Sequence, residues 1–571
     1  LQKDFQLESV VLKGDKIVVT AQAEGQMKAI NTQLSARTIK NVVSAERIQE
    51  LPDESAAAAL SRLPGVSLQD GDKVVIRGLQ AKMNAVLING VALPSTDMND
   101  RSTNLGFISS NMLAGIEVTK VITPDMDANT IGGVVNLKIM DAPVGVHFDV
   151  LSQGMFNTQD HTSDNYKFWG SVSNRFLKDK LGVFVQGNAE RINGGLDQTS
   201  AGYGISDNEI DFGYAPYFMN TFTFTDEENV ISNYGGSIIM DYKLPAGKIV
   251  LQNTLAHTIN DNARHRTLYS FTSPIQPRFS INRDKHNKEL MLNALQAEYD
   301  FGFIKMEMGL AHSFSDKNTD IRYGDAGTNL DFTNTSNPIQ FIGANGDSLT
   351  ADDFQDDDRL KLTTEDVYGM IIPDENWRNA AMAGWAVTRS EEFKQHLYNA
   401  NLDFTLPLAF SKFASGNIKF GGKFTRSTRE NDANETYHRV GDNDFYAAVP
   451  DFIPGKTLNA SGKVENKLTL GDARNYDYSR GGYYLNGDWD YNYAFDIDLM
   501  DRFMVESQAG WDHVPAHASN SAKDDFKGDE TFSAGYLMGD FNFGSRLSFI
   551  GGLRYEHYNM DYKANFVYVT H

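Results

Sequence analysis

Asp125, Asp127 and Asn129 occupy alternate positions in TPDMDANTIGGVVNLKI, residues 123–139, the spacing of the first three side-chain ligands of a calcium loop. Such a loop turns on a glycine at its sixth position and closes its coordination sphere with a bidentate glutamate at its twelfth. Counted from Asp125 those positions hold Thr130 and Asn136, and GGVVNLKI reads as a strand opened by two glycines. The carboxylates are therefore expected to satisfy turn amides, and no metal is expected here. A second acidic run, DDFQDDDR at 352–359, could hold surface cations or form a solvated charged face. None of the 12 histidines belongs to HExxH, and neither GxSxG nor a Walker loop occurs, so no enzyme and no cofactor is expected.

Composition narrows the classes further. The 571 residues contain no cysteine, which removes disulfides, cysteine-zinc sites and thiol nucleophiles. With 52 Lys+Arg against 75 Asp+Glu the formal net charge is −23, which argues against nucleic acid and anionic membrane surfaces as partners. The mean hydropathy is −0.40, and no apolar run approaches the length of a transmembrane helix. Transmembrane β-strands need only about ten alternating residues each, so a barrel stays open. LQKDFQLESV lacks a basic region followed by an apolar one, so any signal peptide is expected to lie upstream of Leu1 or to have been removed.

The elements that would position functional groups fall into two unlike parts. Residues 27–142 read as mixed α/β. SAERIQEL and DESAAAALSRL suggest helices, the second capped by Asp53; VSLQ, KVVIRGL, NAVLING, IEVTKVI and VVNLKI suggest strands; Asn89-Gly90 signals a hairpin turn. From residue 146 onward the period changes to two. In IKMEMGLAHSF, Ile304, Met306, Met308 and Leu310 alternate with Lys305 and Glu307. NIKFGGKFT, LYNANLDFT, LGVFVQGNAER, KIVLQNTLAHTI and MLNALQAEYDF repeat the pattern. Short links at LPAG, FGF and FGSR take turns with long polar ones at 194–232, 261–288, 316–395 and 428–479, an asymmetry of outer-membrane barrels rather than sandwiches.

Taken in order, ELPDESAAAALSRLPGVSLQ, VVIRGL, NAVLINGV and IEVTKVITPDMDANTIGGVVNLKI resemble the plug domain of the TonB-dependent outer-membrane receptors, and TFSAGYLMGDFNFGSRLSFIGGLRYEHYNMDY resembles a hairpin of their barrel. The resemblance implies a transmembrane antiparallel β-barrel with an N-terminal mixed α/β plug inside its lumen. The implied division is 1–14 as the tail of an upstream β-sandwich extension of the Bacteroidetes type, 15–26 as TonB box and linker, 27–142 as plug, and 146–571 as barrel. About twelve strands are expected in this chain against 22 in the family, so the C-terminal strands are expected to be missing.

GDKIVVTAQ resembles a TonB box, which implies that Asp15, Lys16, Ile17, Val18, Val19, Thr20 and Ala21 meet the energy-transducing partner; the alternative is the last strand of a preceding domain. Arg77 of IRGL and Lys120 of IEVTK match basic positions that in the family pair with barrel-wall glutamates, and Lys120 stands where arginine is usual. Glu298 and Glu556 are both candidate wall partners, and pairing within the plug, for example with Glu117, is the alternative. Gly78, Gly132 and Gly133 match structural glycines of the plug. The resemblance further implies a Gram-negative outer membrane, contact with its lipids, coupling to a TonB-ExbB-ExbD complex, and import of an iron-siderophore or an oligosaccharide, with a surface lipoprotein as a further partner. A ligand-sensing receptor and a passive porin are the competing functions. The ligand-binding residues are not legible.

Overall fold

The computed structural model describes residues 21–36, 38–49, 55–69, 72–96, 98, 101–106, 108, 110–159, 161–205, 217–270, 276–323, 330–333, 341–342, 348–349, 382–383, 385–411, 414–439, 469–478, 484–487, 494–507, 521–544 and 547–567. Two compact units result, one within Leu1–Ala92 and Asn104–Met140, the other within Leu93–Thr103 and Asp141–His571.

The α/β unit opens on helix α1 (Ala21–Ser35) and carries short helices α2 (Ala45–Gln49) and α3 (Ala56–Ser61). Strands β1 (Lys40–Ser44), β4 (Asn84–Ile88), β5 (Val91–Ala92), β6 (Leu113–Thr119) and β7 (Gly133–Ile139) form one sheet in the order β1-β6-β7-β4-β5, and β2 (Val66–Gln69) pairs with β3 (Lys73–Ile76) in a separate ribbon. Its core is aliphatic: Ile48, Leu60, Val74, Ile76, Ile88, Ile116, Val118, Val135 and Leu137 are buried. Asn89 and Gly90 take φ of 49° and 85°, the left-handed pair that a two-residue hairpin turn requires. The helix over 53–63 begins later than expected. Ser55, not Asp53, caps α3, its hydroxyl accepting from Ala58 N at 3.2 Å, and Asp53 lies outside the described residues. Serine at this position satisfies an orphan N–H of the first turn.

The second unit is built on strands β8 (His147–Asn157), β9 (Thr162–Phe176), β10 (Leu181–Asn193), β11 (Leu196–Ile205), β12 (Tyr217–Leu244), β13 (Gly247–Ser270), β14 (Gln276–Asp300), β15 (Lys305–Tyr323), the short β16 (Leu330–Thr333), β17 (Phe341–Ile342), β18 (Ser348–Leu349) and β19 (Met382–Ala383), then β20 (Trp385–Ser411), β21 (Ala414–Arg439), β22 (Phe526–Phe543) and β23 (Leu547–Ala564). The large sheet has 14 strands, of which a consecutive antiparallel path runs β23-β22-β21-β20-β15-β14-β13-β12-β10-β9-β8. Among the described residues its end strands β8 and β23 do not pair with each other.

Register shows what the alternation is for. Met306, Phe404, Phe420, Leu537 and Leu553 are successive Cα partners across β15, β20, β21, β22 and β23. In the other direction Met308, Ala297, Ile249, Tyr242 and Leu181 continue the series to β10. Directly opposed residues share a face, so these side chains form one apolar band across the sheet. The band is open to the surroundings: Leu310 is 49% exposed, Phe424 49% and Leu553 82%. Ser313, Ser315, Gln395 and Ser427 alternate with it on the other face and are buried. Where these serines and this glutamine lie, the apolar face is exposed and its alternate buried, the reverse of a sheet in water and the arrangement of strands in a bilayer, while Lys305 and Glu307 at the start of β15 are exposed on the polar face. At the border of the band, the rings of His312 and Tyr398 stack at 4.6 Å, and that of His396 stacks on His312 at 5.4 Å.

Three expectations about connections are corrected. Most of 261–288 is strand, because β13 reaches Ser270 and β14 starts at Gln276. Within 194–232, β11 and the first half of β12 are likewise strand, and β21 extends to Arg439. There the ladder continues through pairs such as Asn260 with His286 and Asp261 with Lys285, so both faces are polar and no apolar period marks the strand. The stretch 481–511 contains helix Ile497–Ser507. Its Met500, Phe503 and Met504 are buried at helical spacing, and Tyr484, also buried, lies 6.1 Å from Phe224. The acidic run 352–359 lies outside the described residues.

Met308 on the band and Glu307 on the polar face give opposite expectations. Met308→Arg should cost about 2–4 kcal/mol if it lies near the bilayer centre, and Glu307→Gln should stay within about 0.5 kcal/mol. Denaturant titration of folding into vesicles measures both.

Candidate functional site

The polar face holds a short segment that sequence patterning leaves unassigned. Beyond β5 the chain reads LPSTDMNDRST, with a proline and few strand formers, so it has no ladder to join. It closes on itself: Ser95 Oγ donates to Ser102 O at 3.1 Å, Thr103 Oγ1 to Pro94 O at 3.0 Å, and Thr96 N to Ser102 O at 3.3 Å. Leu93, Ser95, Thr96, Ser102 and Thr103 are all buried. A buried loop must find partners for its backbone, and strand side chains supply them. Ser95 N donates to Gln395 Oε1 at 2.7 Å, and Ser315 Oγ donates to Ser95 O at 2.6 Å.

Sheet register explains why these groups converge. Ser315 and Gln395 are Cα partners between β15 and β20, and Gln395 and Arg429 are partners between β20 and β21. Gln395 Nε2 donates onward to Ser427 Oγ at 2.9 Å, which fixes its amide with the oxygen toward Ser95. Arg429 lies between the rings of Phe393 and Phe526, at 5.3 and 6.0 Å, and Nη2 donates to Met98 O at 3.3 Å. Arg101, half exposed, makes an ion pair with Glu530 at 3.1 Å, and the Tyr562 hydroxyl donates to the same carboxylate. The arrangement binds and holds. It contains no nucleophile with an adjacent base, and the described residues hold no group of three or more metal-ligating side chains.

The residues singled out from sequence lie elsewhere, and each has a partner within its own unit. Arg77 donates to the carbonyls of Ile131 and Gly132 at 3.4 and 3.1 Å. Lys120 donates to Pro64 O, and burial together with the neighbouring Arg77 guanidinium pushes its ammonium below the usual lysine value. Neither pairs with Glu117, which instead meets Lys40 at 3.3 Å and Lys138 at 3.9 Å. Glu298 pairs with Lys248 at 3.7 Å, and Glu556 accepts from Arg554 at 2.6 Å.

Gly78, with φ of 75°, follows Arg77, with φ of 53°, in the turn after β3. Gly133 takes φ of 152°, and a Cβ there would lie 2.6 Å from Thr119 O. Asp125 accepts from the Thr123 hydroxyl, and Asp127 O accepts from Thr130 N and Oγ1 at 3.2 and 2.6 Å, as a turn would have it. Asp15, Lys16, Ile17, Val18, Val19 and Thr20 lie outside the described residues, whereas Ala21 opens helix α1 and does not continue an extended box. Its run AQAEGQMKAI is rich in helix formers.

Residues 32–134 match the family model of the TonB-dependent receptor plug domain. Many solved structures are similar to the chain, among them the following three. The siderophore receptor PirA from Acinetobacter baumannii is 11% identical over 95% of this chain and 93% of that one, with a TM-score of 0.30. The ferric enterobactin receptor PfeA from Pseudomonas aeruginosa is 9% identical over 92% of both chains, with a TM-score of 0.30. The RagAB peptide transporter is 9% identical over 92% of this chain and 56% of that one, with a TM-score of 0.44. No curated protein matches.

Gln395→Ala removes the acceptor from a buried backbone N–H and should cost about 1–3 kcal/mol, whereas Glu530→Gln at the half-exposed Arg101 pair should cost no more than about 1 kcal/mol. Guanidinium midpoints of the two variants measure the difference.

Proposed function

We propose that the chain, a TonB-dependent receptor by its plug domain, binds a scarce extracellular ligand and imports it across the outer membrane of a Gram-negative bacterium. The observation that carries this reading is the pairing of a plug domain over residues 32–134 with an antiparallel sheet whose apolar face is exposed and whose polar face is buried. A passive pore has no use for a folded α/β unit in its chain. A gated one does, and gating needs energy from outside the membrane, since no nucleotide-binding motif is present.

In this reading GDKIVVTAQ is the segment seized by a TonB-ExbB-ExbD complex. Ile17, Val18, Val19 and Thr20 favour extended backbone and can add as a strand to a partner's sheet edge. The α/β unit is the gate, with Arg77 and Lys120 on it as the basic positions that pair with wall carboxylates such as Glu298 or Glu556 when the gate is closed. The hydrogen bonds of both cations to backbone carbonyls support a weaker version of that lock, because a cation with local partners gains less from a distant carboxylate. The ligand class is an iron chelate or a glycan.

Val18→Pro removes a backbone donor and should abolish uptake while leaving ligand binding at the cell surface intact. Radiolabelled ferric siderophores and labelled oligosaccharides, offered to cells with and without TonB, test the coupling. Uptake that persists without TonB would overturn it.

A further inference from the structure

By the period of two, the apolar-band face of β13 runs from Ile249 through Leu255, His257, Ile259 and Ala263 to Tyr269. Burial changes along it. Up to Thr258 the buried residues are the alternate ones, Gln252, Thr254, Ala256 and Thr258, while Leu255 on the band face is 48% exposed. From Ala263 the phase inverts, and Ala263, His265, Thr267 and Tyr269 of the band face are buried. The chain itself covers them. Phe495 N donates to His265 Nδ1 at 3.1 Å, and the two rings stack at 6.0 Å. From the helix Ile497–Ser507, Asp501 meets Arg283, the Cα partner of Ala263, at 3.7 Å. The strands thus leave an apolar surrounding near His257 and enter a packed polar one beyond it.

Where the two regimes meet, a cavity of about 280 Å³ opens between the strands and the helix. Arg191, Arg283, Glu228 and Asp261 line it together with the apolar Ile259 and Ile497. Register puts the strand residues on the band face: Arg191, Ser232 and Ile259 are successive Cα partners, as are Glu228, Ala263 and Arg283. Its depth is that of a headgroup. Ile259 lies four residues beyond Leu255, about 14 Å along a strand tilted by about 40° and so about 10 Å of bilayer depth, past the hydrocarbon. Between them His257 and its partner Tyr234 hold their rings 6.3 Å apart, side chains of the kind that line a membrane interface. Two guanidinium groups and two carboxylates balance, so an anion alone meets as much repulsion as attraction, and a ligand carrying both charges is matched at each. Arg191 already pairs with Asp164 at 3.2 Å and Arg283 with Asp261. A guanidinium has five N–H donors, enough to hold a carboxylate and a phosphate oxygen together. The geometry points to this cavity as a binding site for the phosphoethanolamine headgroup of a membrane lipid, its phosphate on the arginines, its primary ammonium on Glu228 and Asp261, and its acyl chains along the band past Leu255.

Native mass spectrometry of the full-length receptor, with lipids titrated into its detergent micelles, tests the site. The probes are dioleoyl phosphatidylethanolamine, phosphatidylglycerol and phosphatidylcholine, with glycerophosphoethanolamine as the soluble headgroup. Phosphatidylethanolamine should bind about tenfold tighter than either of the others, since one lacks the ammonium and the other cannot donate from it. The Arg191 pair is partly exposed and Glu228 is exposed, so substitutions there leave the ladder in place. Glu228→Gln should shrink the preference over phosphatidylcholine to about threefold or less, and Arg191→Ala should weaken the ethanolamine and glycerol lipids alike. Equal binding of the three lipids to the unsubstituted receptor would overturn the inference. So would a preference that survives both substitutions, or glycerophosphoethanolamine that binds as tightly as the lipid, which would make this a site for a soluble phosphate ester. A receptor dimer that persists at every lipid concentration and admits none of the three would overturn it too, and would assign the face to a second copy of the chain.

Discussion

A bilayer offers no partner to a backbone amide, so a chain that crosses it in strands must satisfy every N–H and C=O against another strand and turn apolar side chains outward. The rest of this structure depends on that constraint. It sets the apolar band from Leu181 to Leu553, and by the period of two it commits every intervening residue to the opposite face. Many of those residues are serines, threonines, glutamines and asparagines, together with paired charges such as Lys167 with Glu190, among buried apolar side chains such as Leu290, Leu292 and Phe393. The polar face is therefore rich in donors and acceptors that need partners of their own.

Leu93–Thr103 supplies some of them. Its backbone groups would be costly to bury against an apolar surface, and here they meet Gln395, Ser315 and Arg429. Individually such bonds contribute about 1 kcal/mol each. They converge on one short segment, whereas the α/β unit is held by Ile116, Val118, Val135 and Leu137 in an aliphatic core. Two kinds of cohesion thus coexist in one plug-bearing chain, one hydrophobic and one built of side chain to backbone hydrogen bonds.

Much of the fold was legible because periodicity survives in single strands. KMEMGLAHSF, NIKFGGKFT and LYNANLDFT lie within β15, β21 and β20, and Asn89-Gly90 makes the turn its residue types demand. Legibility failed where the environment on the two faces became the same. Asn260, Asp261 and Asn262 look like loop residues, and only their cross-strand partners reveal the ladder. The wall-bound segment failed for a different reason: Gln395, Ser315 and Arg429 are far apart in sequence and become a site through register, which no single strand contains. The basic residues Arg77 and Lys120 stood out by resemblance, yet local carbonyls hold them, a geometry that charge counting does not anticipate.

The central claim is that the face bearing Met306, Met308 and Leu310 meets lipid while its alternate does not. The chain has no native cysteine, so single spin labels can be placed along β15 without background. Collision with oxygen, which concentrates in the bilayer, and with a water-soluble nickel chelate should be read at each position from 305 to 312 in reconstituted protein. The account predicts an oxygen maximum at 306, 308 and 310 with minima between them. A profile of opposite phase, or labels at 306 to 310 that meet the nickel chelate as freely as those in an aqueous loop, would contradict it.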